Sequence, residues 1–326
     1  RDRIRSCIFI CKPQVYRLIF VSKQKIPSYH PFLDYMKHLP QWDGQDRITG
    51  LAKRISDDRL WIQGFRLWML GMAAQWTGKE MIHANALVPL LISRQQGLQK
   101  STFCKLLIPN ELQAYYTDSF DLASPAAAEQ KLALFGLINL DEFDKISEKK
   151  MPLLKNLLQM SRLNIRKSHQ SNFSSLPRVA SFIGTSNQKE LLTDPTGSRR
   201  FLCIEVKEEI DSSPIDHAQL YAQLKTRLDQ GERYWMNKEE EAAWKKVNQS
   251  FYRISAEEDV FNSYYHKPLP GESVETYSAR QLKQKSPESM RNISVQRLVQ
   301  TLSAIGIERI HTRYGNLYRV VSHPSQ

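Results

Sequence analysis

The sequence predicts an α/β protein with a parallel sheet, helical flanks and a small C-terminal domain. Three observations carry that expectation. From residue 86 onward, short apolar runs at 86–92, 115–120, 134–140, 179–185 and 201–206 alternate with helical stretches. Near-continuous apolar strands separated by helices belong in a parallel sheet covered on both faces. The first run leads directly into a loop carrying Lys100 and Ser101, and helical patterns lie before the strands and after them.

In chain order, residues 4–22 alternate and are rich in Ile, Val, Phe and Tyr, which predicts two strands broken near Pro13. Arg1, Arg3, Arg5, Lys12, Arg17, Lys23 and Lys25 face only Asp2 there. Because the first residue is Arg1 and not Met, the chain is expected to be a piece of a longer protein, with 1–30 the end of an upstream module. A helical lead-in is expected over 31–84, where Leu60, Trp61, Phe65, Trp68, Met69 and Met72 recur at helical spacing and form one core-facing stripe. The α/β core follows over 85–210 and a helical extension over 211–254, with helices at 220–228 and 238–254. The last unit, 255–326, reads as helices and then a hairpin. Its helix over 294–305 is closed by Gly306, and strands at 307–310 and 317–321 flank a turn at Tyr314-Gly315-Asn316.

Composition bounds the function. Hydrophobic residues at 41% and charged residues at 25% of 326 exclude a collagenous, mucin-like or wholly disordered chain. Lys and Arg number 46 against 34 acids, a formal charge of +12, which calls for a polyanion partner, nucleic acid ahead of anionic lipid. No apolar run approaches the ~18 residues of a membrane span, so a cytoplasmic protein without a membrane partner is expected. Cys7, Cys11, Cys104 and Cys203 lack zinc-site spacing. Cys7 and Cys11 share a strand face and could form a redox pair; reduced thiols are favoured, because disulfides are rare in the cytosol.

Three polar clusters stand at ordered places in the strand–helix pattern. The segment Ser93-Arg94-Gln95-Gln96-Gly97-Leu98-Gln99-Lys100-Ser101-Thr102 follows the first strand. A phosphate loop needs a lysine for the β- and γ-phosphates and a hydroxyl for magnesium, and Lys100 and Ser101 suit those roles. The glycine positions of G-x-x-x-x-G-K-[ST] are Arg94 and Gln99 here, leaving Gly97 inside the loop. Next, the strand Leu137-Ile138-Asn139-Leu140 ends in Asp141-Glu142. Such a pair could hold magnesium and orient an attacking water, or could be an ordinary acidic strand-to-loop pair. Finally, Phe182-Ile183-Gly184-Thr185-Ser186-Asn187 ends in an amide, and Thr196-Gly197-Ser198-Arg199-Arg200-Phe201 follows. The two arginines could be a solvated loop pair or could stabilise transferred charge beside a phosphate.

From about residue 30 to 254 the chain resembles the virulence-associated protein E family, whose P-loop domain is similar to superfamily 3 helicases and AAA+ ATPases. The resemblance rests on those clusters in order, on Trp42-Asp43-Gly44-Gln45-Asp46-Arg47-Ile48 ahead of them, and on Gly231-Glu232-Arg233-Tyr234-Trp235 after them. It implies a P-loop NTPase fold of AAA+ or superfamily 3 type, with ATP and Mg2+ as cofactors. Gln96, Gly97, Gln99, Lys100, Ser101 and Thr102 would bind the nucleotide, and Ser101 and Asp141 the metal. Glu142 would activate water, Asn187 would sense the γ-phosphate, and Arg199 or Arg200 would serve a neighbouring subunit's nucleotide in a ring-shaped homo-oligomer. A hairpin between the acidic pair and Asn187 would grip single-stranded DNA through Arg166, Lys167 and His169, unless those residues form only a solvated basic loop. The C-terminal unit resembles a winged helix and a small domain of unknown function often appended to this family; it would serve DNA or protein contacts.

The expected function is therefore an ATP-dependent DNA helicase or replication-initiation ATPase of a mobile genetic element. A DNA-binding scaffold with a degenerate, non-hydrolysing nucleotide site is the alternative. A small-molecule P-loop kinase is disfavoured by the charge of +12 and the lack of an acceptor site.

Overall fold

The computed structural model describes residues 29–78, 83–166, 173–192, 198–254, 256–285, 292–313 and 315–323. The expected strands within 4–22, with Cys7 and Cys11, lie outside the described residues.

Three capped helices lead in. The His30 ring accepts the Leu33 N–H at 3.1 Å to open α1, Pro31–Lys37. Asp46 does the same for Thr49 at 3.2 Å in α2, Arg47–Lys53, and Asp58 for Trp61 at 2.9 Å in α3, Arg59–Trp76. Each cap satisfies an N–H with no partner inside the helix. A single apolar stripe is expected on α3, yet Trp61, Leu67, Trp68, Leu70, Ala74 and Trp76 are all buried, at positions spread round the helix. The sheet lies on one side, where Trp68 Nε1 donates to the Phe182 carbonyl at 2.8 Å, and a later helix covers the other.

The α/β body then runs β1 (Val88–Ile92), α4 (Lys100–Leu106), β2 (Tyr116–Thr117), α5 (Pro125–Leu134), β3 (Leu137–Leu140) and α6 (Met151–Gln159). After α6 come β4 (Arg162–Arg166), β5 (Phe173–Pro177), β6 (Ser181–Ser186) and β7 (Phe201–Glu205). A five-stranded parallel sheet has the order β2-β3-β6-β1-β7, while β4 and β5 form a separate antiparallel hairpin. Alternate strand residues feed two cores. Leu91, Leu137, Ile183 and Leu202 face the lead-in helices, and Leu90, Ile138, Phe182 and Cys203 face the side of α5 and α6. Strand β2 is shorter than the run at 115–120, because Thr117 Oγ1 takes the Ser119 N–H at 3.1 Å and turns the chain.

Arg178, between β5 and β6, is buried and donates to the carbonyls of Ala180 at 2.7 Å, Leu158 at 2.7 Å and Asn85 at 3.0 Å. It thereby satisfies a carbonyl at the end of α6 that has no partner within the helix.

Helices α7 (His217–Asp229) and α8 (Lys238–Asn248) return over the lead-in helices. Helix α8 starts in a capping box between Asn237 and Glu240, and gives way to a 3-10 turn, Gln249–Phe251, short of the expected residue 254. Gly64 of α3 lets α8 close in, since a Cβ there would stand 3.0 Å from the Trp244 ring.

The C-terminal unit contains α9 (Ala256–Tyr264), β8 (Tyr265–His266), β9 (Glu275–Tyr277), α10 (Ala279–Lys285) and α11 (Val295–Ala304), then β10 (Arg309–Thr312) and β11 (Gly315–Ser322). It has a core of its own, including Phe261, Leu282, Leu298 and Tyr318. Ser294 caps α11, and Gly306 follows it at φ +73°. β10 and β11 pair antiparallel as a hairpin from Arg309↔Tyr318 to Thr312↔Gly315.

Candidate functional site

Sheet order decides which polar groups meet. β6 sits between β1 and β3 and runs parallel to both, with Ile92 opposite Ser186 and Leu140 opposite Gly184. The loop after β1, the acidic pair after β3 and Asn187 after β6 therefore emerge at one edge of the sheet. They enclose a cavity of about 360 Å³ lined by residues 96–102, Asp141, Glu142 and residues 185–187. All six expected nucleotide-loop residues, both acids and Asn187 border that one space.

The backbone around the cavity is unusual. Gln99 at φ +60° and Glu142 at φ +52° are the non-glycine residues with positive φ among the described residues, and both line it. Such geometry costs energy that the surroundings must hold. Gly97, at φ +82°, takes the same region without a Cβ penalty. The Gln99 side chain reaches Glu209 at 3.4 Å, and Arg94 reaches Glu190 at 3.5 Å, so the two residues replacing motif glycines are held by acids outside the cavity.

Lys100 begins α4 and is only 8% exposed. Its ammonium donates to Ser93 Oγ at 2.5 Å and to Asn187 Oδ1 at 2.9 Å. Burial lowers its pKa, opposed by the nearby Asp141 charge. A partly desolvated cation with two neutral acceptors suits a polyanion, which would supply the missing countercharge. Ser101 Oγ donates to Asp141 Oδ1 at 3.1 Å, and Thr185 Oγ1 donates to the same oxygen. A hydroxyl beside a carboxylate is a hard oxygen pair suited to Mg2+. Glu142 is exposed and pairs with Lys145 at 2.7 Å; behind it, Ser186 Oγ donates to Asp144 at 2.6 Å.

Sequence reasoning assigned no role to Ser93, Thr185, Ser186 or Asp144. Thr185 and Ser186 are hydroxyls at a strand tip whose acids, Asp141 and Asp144, follow the neighbouring strand β3, so those pairings depend on strand order, while Ser93 accepts from Lys100 of its own loop.

The arginine pair lies elsewhere. Arg199 and Arg200 occupy the turn just before β7, and Phe201 aligns with Val88, so they stand at the end of the sheet opposite the loop. They border a second cavity of about 410 Å³, with His83, Tyr234, Trp235 and Glu241, and Arg199 pairs with Glu241 at 3.1 Å. The structure does not bring them to the cavity lined by Lys100 and Asp141. Residues 193–197, ahead of them, lie outside the described residues.

The hairpin β4–β5 ends with Arg166 opposite Phe173. Lys167 and His169 lie outside the described residues. The Trp42-Asp43-Gly44 element ties helices together. Trp42 Nε1 donates to the Gln45 carbonyl at 2.9 Å, Asp43 pairs with Arg47 at 2.7 Å, and Asp46 accepts from Gln223 of α7 at 2.8 Å. Cys104 and Cys203 are buried, free thiols whose pKa values burial pushes up. No metal-ligating cluster occurs among the described residues, and none of the described helices is long and apolar enough to cross a membrane.

Comparison with known proteins gives two family matches. The virulence-associated protein E-like domain matches residues 36–253, and a domain of unknown function, DUF3874, matches residues 255–320. No curated protein matches the chain. Solved structures similar to it include an apo A form of the NrS-1 C-terminal region, at 14% identity and a TM-score of 0.45, covering 89% of this chain and 78% of that one. A second apo structure of that region, residues 305–718, has 13% identity and a TM-score of 0.42 at the same coverage.

Proposed function

Since this chain belongs to the virulence-associated protein E-like family, we propose that its α/β body is a P-loop ATPase of AAA+ or superfamily 3 helicase type. It would handle DNA during replication of a mobile genetic element. The observation that carries this reading is the convergence of Lys100, Ser101, Asp141 and Asn187 on one cavity at the sheet edge.

The donor set fits ATP and Mg2+. Lys100 would neutralise β- and γ-phosphate oxygens, exchanging its contact with Asn187 for them, and Asn187 would then turn its amide toward the terminal phosphate. Ser101 and Asp141 would hold the metal, which supplies charge neutralisation along the phosphates. Glu142 would leave Lys145 and accept a proton from the attacking water. Arg199 and Arg200, remote from this cavity, would act at the nucleotide of a neighbouring subunit in a ring. The hairpin carrying Arg166, Lys167 and His169 would track single-stranded DNA, and the winged-helix-like C-terminal unit would add nucleic-acid contacts.

The alternative, a DNA-binding scaffold with a degenerate site, draws on Arg94 and Gln99 at motif glycine positions. Their side chains are engaged by Glu190 and Glu209, and this leaves the cavity open. Mg-ATP binding and turnover with and without single-stranded DNA separate the two. Binding and DNA-stimulated hydrolysis, both abolished in Lys100→Ala, support the ATPase. DNA binding without any nucleotide binding supports the scaffold.

A further inference from the structure

We propose that Thr185 is a positioning residue that orients the Asp141 carboxylate for the divalent cation. The inference rests on the nucleotide-site reading above and deepens it.

Thr185 is 3% exposed on β6, the strand between the one that leads into the loop and the one that ends at the acids. Its hydroxyl donates to Asp141 Oδ1, the same oxygen that accepts from Ser101 Oγ at 3.1 Å. The two donors come from different elements, one from strand β6 and one from helix α4. Together they occupy Oδ1 and fix the carboxylate's rotation about its last bond. Oδ2 receives no bond from either and is the oxygen left for a metal-bound water.

Ser101 and Thr185 differ in what a cation would do to them. Ser101 borders the cavity beside Lys100, and a hydroxyl can offer its lone pair to a cation while still donating its proton. Thr185 also borders the cavity but is held on the central strand β6, between β1 and β3, so its role is to aim the carboxylate. Ser101 alone would leave that carboxylate free to swing once its own oxygen is drawn to a metal. Partners that orient a metal-holding carboxylate change metal affinity by about 10- to 100-fold when removed.

The test is equilibrium binding of a fluorescent ATP analogue, read in EDTA and across a Mg2+ titration, with Thr185→Val and Thr185→Ser beside the parent. Thr185→Val keeps the β-branched shape and deletes the donor; Thr185→Ser keeps the donor. Thr185→Val should raise the Mg2+ half-point about 10- to 100-fold and leave nucleotide affinity in EDTA unchanged, while Thr185→Ser stays near the parent. Equal Mg2+ half-points in parent and Thr185→Val, or equal losses with and without Mg2+, overturn the inference and leave the nucleotide site standing. A parent with no Mg2+-dependent nucleotide binding removes both. If Thr185→Val does not fold by circular dichroism, Thr185→Ala against Thr185→Ser gives the same contrast.

Discussion

At Gln99 the chain places a side chain where a phosphate loop ordinarily has glycine, and the φ of +60° is the one glycine would adopt. Left-handed geometry costs a non-glycine residue about 1 kcal/mol. Glycine would recover that and lose about 0.5–1 kcal/mol to greater freedom in the open loop. Gln99→Gly should therefore leave Mg-ATP affinity within about fivefold of the parent. Gln99→Val puts a β-branched residue at positive φ, costs about 1–3 kcal/mol, and should lower affinity about 10- to 100-fold. Titration of both variants checks this; binding that emerges only with glycine favours the scaffold. Lys100 carries a pH dependence. Burial lowers its pKa below the ordinary 10.5, so between the lowered value and 10.5 the unfolded chain binds the extra proton. Stability of the free protein should rise with pH across that window, while affinity for a polyanion, which needs the ammonium, should fall. Lys100→Met should flatten both trends in paired denaturation and binding series. Lys100, Asp141 and Asn187 are legible because each follows an apolar strand run, Lys100 at the head of the helix after β1 and the other two directly at strand ends. Ser93 and Thr185 are not, because a serine or threonine at a strand end is common, and neither the bond of Ser93 to Lys100 of its own loop nor that of Thr185 across to Asp141 leaves a sequence pattern.

Among the elements, the strands were the most readable, since unbroken apolar runs such as 88–92 can only be buried on both sides. Their ends were not: β2 stops where the Thr117 hydroxyl captures a backbone N–H. The wrap-around burial of α3 was also hidden, because its second covering comes from α7, about 140 residues later. Arg178 lay outside any motif, and the structure makes it a joint between α6, the approach to β1 and the root of the hairpin. Burial with carbonyl partners only pushes its pKa down to about 9. Arg178→Met removes the donors and strands those carbonyls, and should cost about 3 kcal/mol or more in urea unfolding. For the hairpin, removing one side chain that neutralises a phosphate of a single strand lowers the slope of log K against log salt by about 0.7. Arg166→Ala/Lys167→Ala, which removes two such side chains, should show a reduction of about 1.4 in binding measured over several salt concentrations. An unchanged slope would put the DNA elsewhere.

For the whole molecule, the two ends of the sheet carry different chemistry. The loop cavity is at one end and the Arg199-Arg200 turn at the other, so on the proposed ATPase reading the arginines would act at another copy's nucleotide. Mixing Lys100→Ala chains with Arg199→Ala/Arg200→Ala chains should restore part of the hydrolysis that each lacks alone. Mixtures as inactive as the separate variants, or full turnover by a stable monomer, would end that idea. The charge balance of +12 calls for a polyanion partner but cannot say where one would sit, because net charge carries no geometry. One continuity of the chain has a mechanical meaning. β5 of the hairpin runs through Arg178 into β6, and β6 ends at the Lys100 partner Asn187. At about 3.3 Å per residue, β6 from Ser181 to Ser186 is a strand of roughly 17 Å. β6 is hydrogen-bonded along both edges, to β1 and to β3. A tug on the hairpin therefore loads those ladders in shear, with the bonds sharing the force instead of peeling away one by one. The root of the hairpin and the cavity lie on one stretch of chain, so tension on the hairpin passes through the irregular link at 178–180, pinned by Arg178, into β6 and on toward Asn187.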